Sequence, residues 1–479
     1  SMSESETPEE AADTSFADRI DIPPTGWGIL AVVGPSLVWT AEYIGSGEVI
    51  LSTRAGAILG VGVLWAIIIG ILLKTWIGVS GARYTVCTGE GMIDMISRVP
   101  GPANWGVWIV LVAQFASAAI SIGSIASAGG VFLSNLTPIS AHIGGYLITL
   151  VAISAVWSGA FDTLKAVMSL FVAIIVVGVM YVSIQVFPPL SELTDAFLFE
   201  IPAVPEWAQG KAGIHPNPWR EILPLMGWAA GGFASQVWYT YWVLGAGYGA
   251  AKGRPYGEPA DEEELGSLSR RAAEKIKGWC RVVYADASVA VLIGVVITSA
   301  FAVAGHGVLG LAERAPDGPQ LGIILSELFA EEWGRIGGTL FLISATAAML
   351  GTQVGQLAGW PRLLADSFRI CIPRFGEAFE WKTQFRIFLV FFLVTNILIV
   401  YEMGLEPVFL VQTSAVLDGL LLTPLQALWI GIGLYVVMPR LLSEEAYEVL
   451  RPHWIFGAGL ALAFLVFGYF CIFQMPYIL

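Results

Sequence analysis

Apolar runs long enough to cross a bilayer recur from one end of the chain to the other, with short polar segments between them. A helix of about 20 apolar residues spans the hydrocarbon core of a membrane, so each run predicts one transmembrane helix. The runs predict eleven helices, at about 27–55, 59–81, 104–132, 143–158, 162–187, 221–248, 282–304, 335–359, 384–403, 406–437 and 453–474. The pattern therefore predicts an all-α polytopic membrane protein.

Polar segments divide the chain around these helices. Residues 1–22 are acidic and carry no apolar signal sequence, so we expect a disordered cytoplasmic tail there. We assign five helices to 23–190, a proline-rich external loop to 191–220, five more helices to 221–440, and helix 11 with the C-terminus to 441–479. A separate surface helix is expected at 266–279.

The composition argues against soluble functions. Hydrophobic residues make up 56% of the chain and charged residues 13%, so no soluble catalytic domain fits, and we expect neither enzymatic activity nor a cofactor. Much of the net charge of −14 lies in the N-terminal tail and in residues 261–264, which gives no support for a nucleic-acid partner. The expected partners are the lipid bilayer and a transported ion or small solute, and we expect a monomer or weak dimer.

Positive charge indicates the orientation in the membrane. With a cytoplasmic N-terminus, most lysines and arginines outside the helices fall on the cytoplasmic side. The external loops then hold only Lys211, Arg220, Arg314 and Arg335. By the positive-inside rule, we expect a multi-pass protein of the cell (inner) membrane with its C-terminus outside.

Helix 1 contains the most unusual stretch of the sequence. Gly45-Ser46-Gly47 interrupts the helical pattern at membrane depth, and Glu42 and Glu48 flank the interruption. Irregular backbone and carboxyl groups persist in a membrane only inside the protein or beside a watery cavity, so this stretch is a candidate functional site. The alternative is an internal ion pair with Arg54 or Lys74.

Helix 6 repeats part of this pattern. In helix 1, Trp39 is followed by Ala41 and Ser46, and Trp228 of helix 6 is followed by an Ala and a Ser at the same spacings. The two segments open two sets of five helices. Interrupted helices in corresponding positions are typical of the binding site of an inverted-repeat transporter, where half-helix ends aim backbone dipoles at the midplane.

Several motifs resemble the Nramp family of metal-ion transporters. The matching residues are Gly34-Pro35 and Ala55-Gly56-Ala57 in helix 1, Thr88-Gly89-Glu90-Gly91 after helix 2, Leu164-Lys165-Ala166-Val167 in helix 5, and Gln412 in helix 10. The resemblance implies a LeuT-type fold of two inverted five-helix repeats plus an eleventh helix. It also implies transport of a metal ion by alternating access.

The metal-binding motifs of that family are missing from this chain. Where the family has Asp-Pro-Gly-Asn in helix 1, this chain has Gly45-Ser46-Gly47-Glu48. The family's Met-Pro-His of helix 6 falls near Phe233-Ala234-Ser235, and its acidic positions in helix 3 fall near Ser121 and Ser124. Since thioether and imidazole ligands favour late transition metals, their loss favours a hard cation such as Mg²⁺, Ca²⁺ or Mn²⁺.

The candidate site residues follow from these patterns. Glu48 and Asp418 are the candidate metal ligands, and Arg54 and Lys74 are their possible charge partners. The full set of predicted substrate-binding residues is Glu42, Gly45, Ser46, Glu48, Ser235, Gln236, Gln412 and Asp418.

Two other functions remain open on the same scaffold. If Lys74 or Arg54 faces the cavity opposite Glu48, a zwitterion or an organic acid fits as well as a metal ion. Because the family's ligands are lost, a remnant without transport activity is the third possibility.

Overall fold

The computed structural model describes residues 16–34, 44–158 and 162–478, and the side chains of 162–165 are not included. The described residues form helices and connecting loops, and no strand occurs among them. Nine of the described helices are long and apolar enough to cross a membrane. They are helix 2 (Val61–Thr88), helix 3 (Trp105–Leu136), helix 4 (Ala141–Ser158), helix 5 (Asp162–Gln185), helix 7 (Arg270–Gly310), helix 8 (Gly318–Cys371), helix 9 (Trp381–Met403), helix 10 (Pro407–Leu441) and helix 11 (Trp454–Tyr477).

Helix 6 is interrupted within the described residues. Of the predicted helix 1, the structure describes a short 3₁₀ helix at Gly26–Ala31 and the part from residue 44 onward. The second half of helix 1, here called helix 1b, is a π-helical turn over Gly47–Ser52 that continues as an α-helix over Thr53–Leu59. Helix 6 consists of helix 6a (Trp219–Trp228) and helix 6b (Phe233–Ala246). Residues 35–43, with the predicted site residue Glu42, lie outside the described residues.

Local sequence explains the interruption of helix 6. Ala230 and Gly231 have φ angles of 59° and 76°, and the following Gly232 is extended. Left-handed backbone is easy for glycine and strained for alanine, so the small residues at 229–232 permit the break. The break leaves the last carbonyls of helix 6a and the first N–H groups of helix 6b without partners in their own helices.

Helix 1b packs closely on helix 7. A Cβ added to Gly56 would lie 2.0 Å from the carbonyl oxygen of Ala302, so only glycine allows the two backbones this contact. Gly305 makes a similar approach to the carbonyl of Thr53. These contacts fix the position of helix 1b, and with it the break at residues 44–46.

Three parts of the fold differ from the sequence expectations. The surface helix predicted at 266–279 is the beginning of one α-helix, Arg270–Ala304, that continues through helix 7. Helix 10 is interrupted at residues 420–422, between Pro407–Gly419 and Thr423–Ile432. Helix 8 bends sharply at Gly334, where φ is 66°.

A fourth difference is in the N-terminal segment, which was expected to be disordered up to residue 22. That expectation was wrong for residues 16–21, where Phe16, Ala17 and Ile20 are buried. The ammonium of Lys275 donates to the carbonyl of Ala17 at 2.8 Å, and Arg19 pairs with Glu264 at 2.9 Å. These contacts with Glu264 and Lys275 therefore hold residues 16–21 in place.

Candidate functional site

A small cavity lies where the breaks of helices 1 and 6 meet helices 8 and 10. Its volume is about 30 Å³, which is close to the volume that one water molecule occupies in the liquid. The side chains with polar atoms that line it are Ser46, Trp228, Ser235, Trp238, Thr352, Gln356 and Asp418. Ser46 and Ser235, which the helix 1 and helix 6 patterns place in corresponding positions, thus contact the same space.

Asp418 is the acidic residue of this cavity. It lies one residue before the end of Pro407–Gly419, the first half of helix 10, and is 3% exposed. One carboxylate oxygen accepts a hydrogen bond from the backbone N–H of Ala234 and the other from the indole Nε1 of Trp228, both at 3.2 Å. The carboxylate therefore sits at the N-terminal end of helix 6b, where the helix dipole stabilises negative charge.

Neutral polar groups of the same cavity have no hydrogen-bond partner in the described structure. They are the hydroxyl of Thr352, the carbonyl oxygen Oε1 of Gln356 and the indole N–H of Trp238. A buried polar group without a partner destabilises a protein by about 1–3 kcal/mol, so a ligand that supplies the missing partners would be stabilised here. Their position beside Asp418 indicates a place for a polar ligand.

Thr352 occupies the space of a side chain that position 45 lacks. A Cβ added to Gly45 would lie 2.1 Å from the hydroxyl oxygen of Thr352. An aspartate, which the Nramp motif has at this position, cannot be placed here unless the side chain of Thr352 moves away. The hydroxyl of Thr352 thus takes up space that the side chain of the motif's aspartate would need.

Glu48, which the sequence favoured most, lies beside the cavity and does not line it. Its carboxylate accepts hydrogen bonds from the backbone N–H of Gly45 at 3.2 Å and from the hydroxyl of Thr298, in helix 7, at 3.4 Å. It is fully buried and turned toward helix 7. Among the described acids, Asp418 and not Glu48 contacts the open space.

Arg54 is paired with a residue that the sequence analysis did not consider. Its guanidinium makes three hydrogen bonds of 2.9–3.1 Å to the carboxylate of Glu221, at the start of helix 6a. It also donates to the carbonyls of Pro316 and Gly213, in two loops. The suggested pairing of Arg54 with Glu48 is therefore wrong.

Gln412 belongs to this Arg54 cluster and not to the cavity. Its amide nitrogen donates to Glu221 at 2.9 Å. Gln236, another predicted site residue, donates to the carbonyl of Ala230 at 3.3 Å and stiffens the break of helix 6. Neither amide lines the cavity.

Lys74 contacts the unwound segment of helix 6. Its ammonium donates to the carbonyls of Gly227, Ala229 at 3.1 Å and Gly231 at 2.9 Å. The suggested alternative, an ion pair of Lys74 with Glu48, is replaced by these three backbone contacts, although both Glu48 and Asp418 are close enough to attract the ammonium electrostatically.

The metal-binding capacity of the site rests on oxygen atoms. Among the described residues, no group of three or more His, Cys, Asp or Glu side chains is arranged to hold a metal ion. The cavity offers one carboxylate with hydroxyl and amide oxygens, and its described lining has no sulfur or imidazole group. Such a donor set suits hard cations that keep part of their water shell.

Sequence reasoning missed the contribution of helix 8. Thr352, Gln353 and Gln356 are three polar residues within five positions of helix 8, and two of them line the cavity. Polar residues that share one face of a membrane helix point into the protein. That spacing was the available signal.

Comparisons with known proteins agree with the geometry. A family model described as natural resistance-associated macrophage protein-like (Nramp) matches residues 36–215. The divalent metal cation transporter MntH of Burkholderia ambifaria is 25% identical over 183 residues, which are 38% of this chain and 40% of that protein. MntH of Chromohalobacter salexigens is 26% identical over 136 residues, or 32% of its length. The matched segments thus cover less than half of these relatives.

Solved structures match over nearly the whole chain. The manganese transporter of Eremococcus coleocola has a TM-score of 0.62 at 14% identity, with 94% of this chain and 90% of that chain covered. Mhp1, a nucleobase-cation-symport-1 family transporter, has a TM-score of 0.51 at 14% identity, with 91% of each chain covered. The predicted fold is confirmed: the chain has the LeuT-type architecture of two inverted five-helix repeats.

Proposed function

We propose that this chain, a membrane protein related to the Nramp family, carries a hard metal cation across the membrane by alternating access. The observation that supports the proposal is the cavity between the broken helices, where Asp418 lies beside partnerless oxygens of Thr352 and Gln356. A cation would give these oxygens the partner that the protein does not supply.

The oxygen donors favour a hard cation. Mg²⁺, Ca²⁺ and Mn²⁺ prefer carboxylate, carbonyl, hydroxyl and water ligands, whereas late transition metals gain more from sulfur and imidazole. With a single carboxylate, the donor set suits an ion that takes part of its coordination shell from water, as Mg²⁺ commonly does. The cavity would have to widen during the transport cycle to admit those waters. The carried ion would therefore be held by Asp418, Thr352 and Gln356, with the hydroxyls of Ser46 and Ser235 close by.

The size of the cavity argues against an organic solute in this conformation. Pockets for small organic molecules usually measure about 300–1,000 Å³. The cavity of about 30 Å³ has room for an ion or a water molecule. An amino-acid-like zwitterion would need large movements of helices 6 and 8.

The external side of the cavity is closed by the Arg54 cluster. Arg54 and Glu221 are 0% and 2% exposed, and they join helices 1b and 6a to both external loops. Alternating access would require this cluster to separate. By the positive-inside rule, we assign it to the outer face of the cell (inner) membrane, with a cytoplasmic N-terminus and an external C-terminus.

Ion uptake by purified protein in proteoliposomes tests the function. We expect uptake of at least one of Mn²⁺, Mg²⁺ and Ca²⁺, and a loss of tenfold or more in Asp418→Asn. Glu48→Gln should lose less, because Glu48 does not line the cavity, and Glu445→Gln on the exposed surface should match the wild type.

Two results would count against the proposal in different ways. Failure of all three ions to enter would contradict transport of a hard cation. Uptake that Asp418→Asn leaves unchanged would keep the function and remove Asp418 from the site.

A further inference from the structure

Lys74 is buried in the middle of helix 2, and its ammonium group faces the unwound segment of helix 6. It is 1% exposed, so no water layer solvates the charge. All of the hydrogen bonds found for the ammonium go to backbone carbonyls of Gly227, Ala229 and Gly231. These three carbonyls belong to the end of helix 6a and to the break that follows it.

The three hydrogen bonds use every N–H donor of the ammonium. A lysine ammonium has three N–H donors and no acceptor, and here each donor has one carbonyl. Carbonyls at the C-terminal end of a helix carry the negative end of the helix dipole and attract positive charge. In interrupted membrane helices, such carbonyls form cation sites.

The surrounding charges also favour a resident cation. Asp418 and Glu48 are both close enough to the ammonium to interact with it electrostatically, and Asp418 is the stronger of the two. Asp418 lies at the N-terminal end of helix 6b while Lys74 lies at the C-terminal end of helix 6a. Each half-helix thus has a side chain of opposite charge at its broken end.

We propose that the Lys74 ammonium is a built-in cation that fills a carbonyl site in the break of helix 6. The site formed by Gly227, Ala229 and Gly231 selects a primary ammonium group and does not bind the carried ion. This inference relies on the proposed function for the existence of a carried ion, which the side-chain oxygens around Asp418 then bind alone.

Removal of the side chain gives a direct test by chemical rescue. Lys74→Ala deletes a group with the size and charge of n-propylammonium and leaves three buried carbonyls without a donor. We expect its thermal unfolding midpoint in detergent to fall by several degrees. Added propylammonium chloride should restore most of that loss and leave the wild type unchanged, because ligands stabilise only the form that binds them.

Matched additives and a matched variant distinguish loss of the charged N–H donors from loss of packing. Propanol has the same shape without the charge, and tetramethylammonium has the charge without N–H donors, so neither should rescue Lys74→Ala. Lys74→Met fills the space of the lysine side chain with an apolar chain. This variant should therefore be less stable than the wild type and should not respond to propylammonium. Equal rescue by propanol would show that only packing was lost and would overturn the proposal.

Divalent ions test whether the carbonyl site excludes the carried ion. MnCl₂ or MgCl₂ at matched ionic strength should not rescue Lys74→Ala, and rescue by these salts alone would overturn the proposal. If Lys74→Ala is unstable during extraction, the yield of folded protein with and without propylammonium replaces the melting curve. No gain in yield, with wild type recovered in parallel, also contradicts the proposal.

The amine experiment does not depend on transport. A wild-type protein that carries none of the three metal ions would contradict the proposed function, yet Lys74→Ala would still respond to propylammonium. Metal uptake by the wild type without amine rescue of the variant would contradict the built-in cation alone.

Discussion

The Arg54 cluster and the Asp418 cavity are both buried, charged and built on helices 1, 6 and 10, yet they satisfy their polar groups in opposite ways. Arg54 makes hydrogen bonds to Glu221, Gly213 and Pro316, and Gln412 supplies a further donor to Glu221. Around Asp418, polar atoms of Thr352, Gln356 and Trp238 have no partner in the described structure. The two sites therefore differ in how completely their own polar groups are hydrogen-bonded.

The difference has an energetic reason. A buried ion pair is stable only when its remaining donors and acceptors are also satisfied, because both charges have lost their hydration. The Arg54 cluster meets that condition within one conformation. The cavity does not, and in our account the carried ion supplies what is missing.

The largest effect is expected from breaking the Arg54 cluster. Glu221→Gln removes the negative partner of a fully buried guanidinium and should lower the free energy of unfolding by about 3–5 kcal/mol. Denaturation of the purified protein in detergent measures this loss. Arg54→Met combined with Glu221→Gln should recover part of it, since neither charge is then left alone. A double variant as unstable as the sum of the single variants would contradict the pairing.

A smaller effect is expected at the break of helix 1. Gly45→Ala places a methyl group against the hydroxyl of Thr352, and such overpacking should reduce stability by about 1–3 kcal/mol. Combination with Thr352→Ala should reduce that loss, because the clashing oxygen is gone. Thermal unfolding of the four proteins of this cycle gives the coupling, and strict additivity would contradict the contact.

Removal of a single polar group should change stability differently in the two regions. Thr352→Val removes a hydroxyl without a partner and should leave stability unchanged or raise it by about 1 kcal/mol, while ion uptake falls. Gln412→Leu removes a donor to a charged carboxylate and should lower stability by about 1.5–3 kcal/mol. Unfolding midpoints and ion uptake of the two variants test this difference. An equal loss of stability in both variants would contradict the comparison.

The sequence predicted the architecture because each membrane helix corresponds to a long apolar run that can be recognised in the sequence. It also predicted the break of helix 6, where Ala229-Ala230-Gly231-Gly232 lacks side chains that hold a helix together, and the structure confirms it. Ser46 and Ser235 were paired by pattern and do lie on one cavity. Signals of this kind are local, so one sequence is enough to detect them.

The identity of the acidic residue at the cavity could not be predicted with the same success. Glu48 is next to the break in sequence, but the π-helical turn Gly47–Ser52 directs it toward Thr298 of helix 7. Asp418 comes from a distant helix, whose own interruption at residues 420–422 was not predicted. The facing direction of a side chain depends on helix rotation, which apolar composition on all sides does not reveal.

Long-range partners were also beyond the sequence. Arg54 and Glu221 are separated by 167 positions, and no pattern links them. Lys74 binds backbone carbonyls, and since every residue has one, the sequence does not indicate which of them are contacted. In both cases, the charged residue was noticed because it lies in an apolar helix, while its partner required the structure.

Anomalous diffraction from crystals of the full chain grown with Mn²⁺ tests the central claim most directly. The account predicts one ordered peak in the cavity, within coordination distance, directly or through water, of the carboxylate of Asp418 and the oxygens of Thr352 and Gln356. A peak at Glu48, a peak on the carbonyls that Lys74 occupies, or an empty cavity at saturating Mn²⁺ would contradict it.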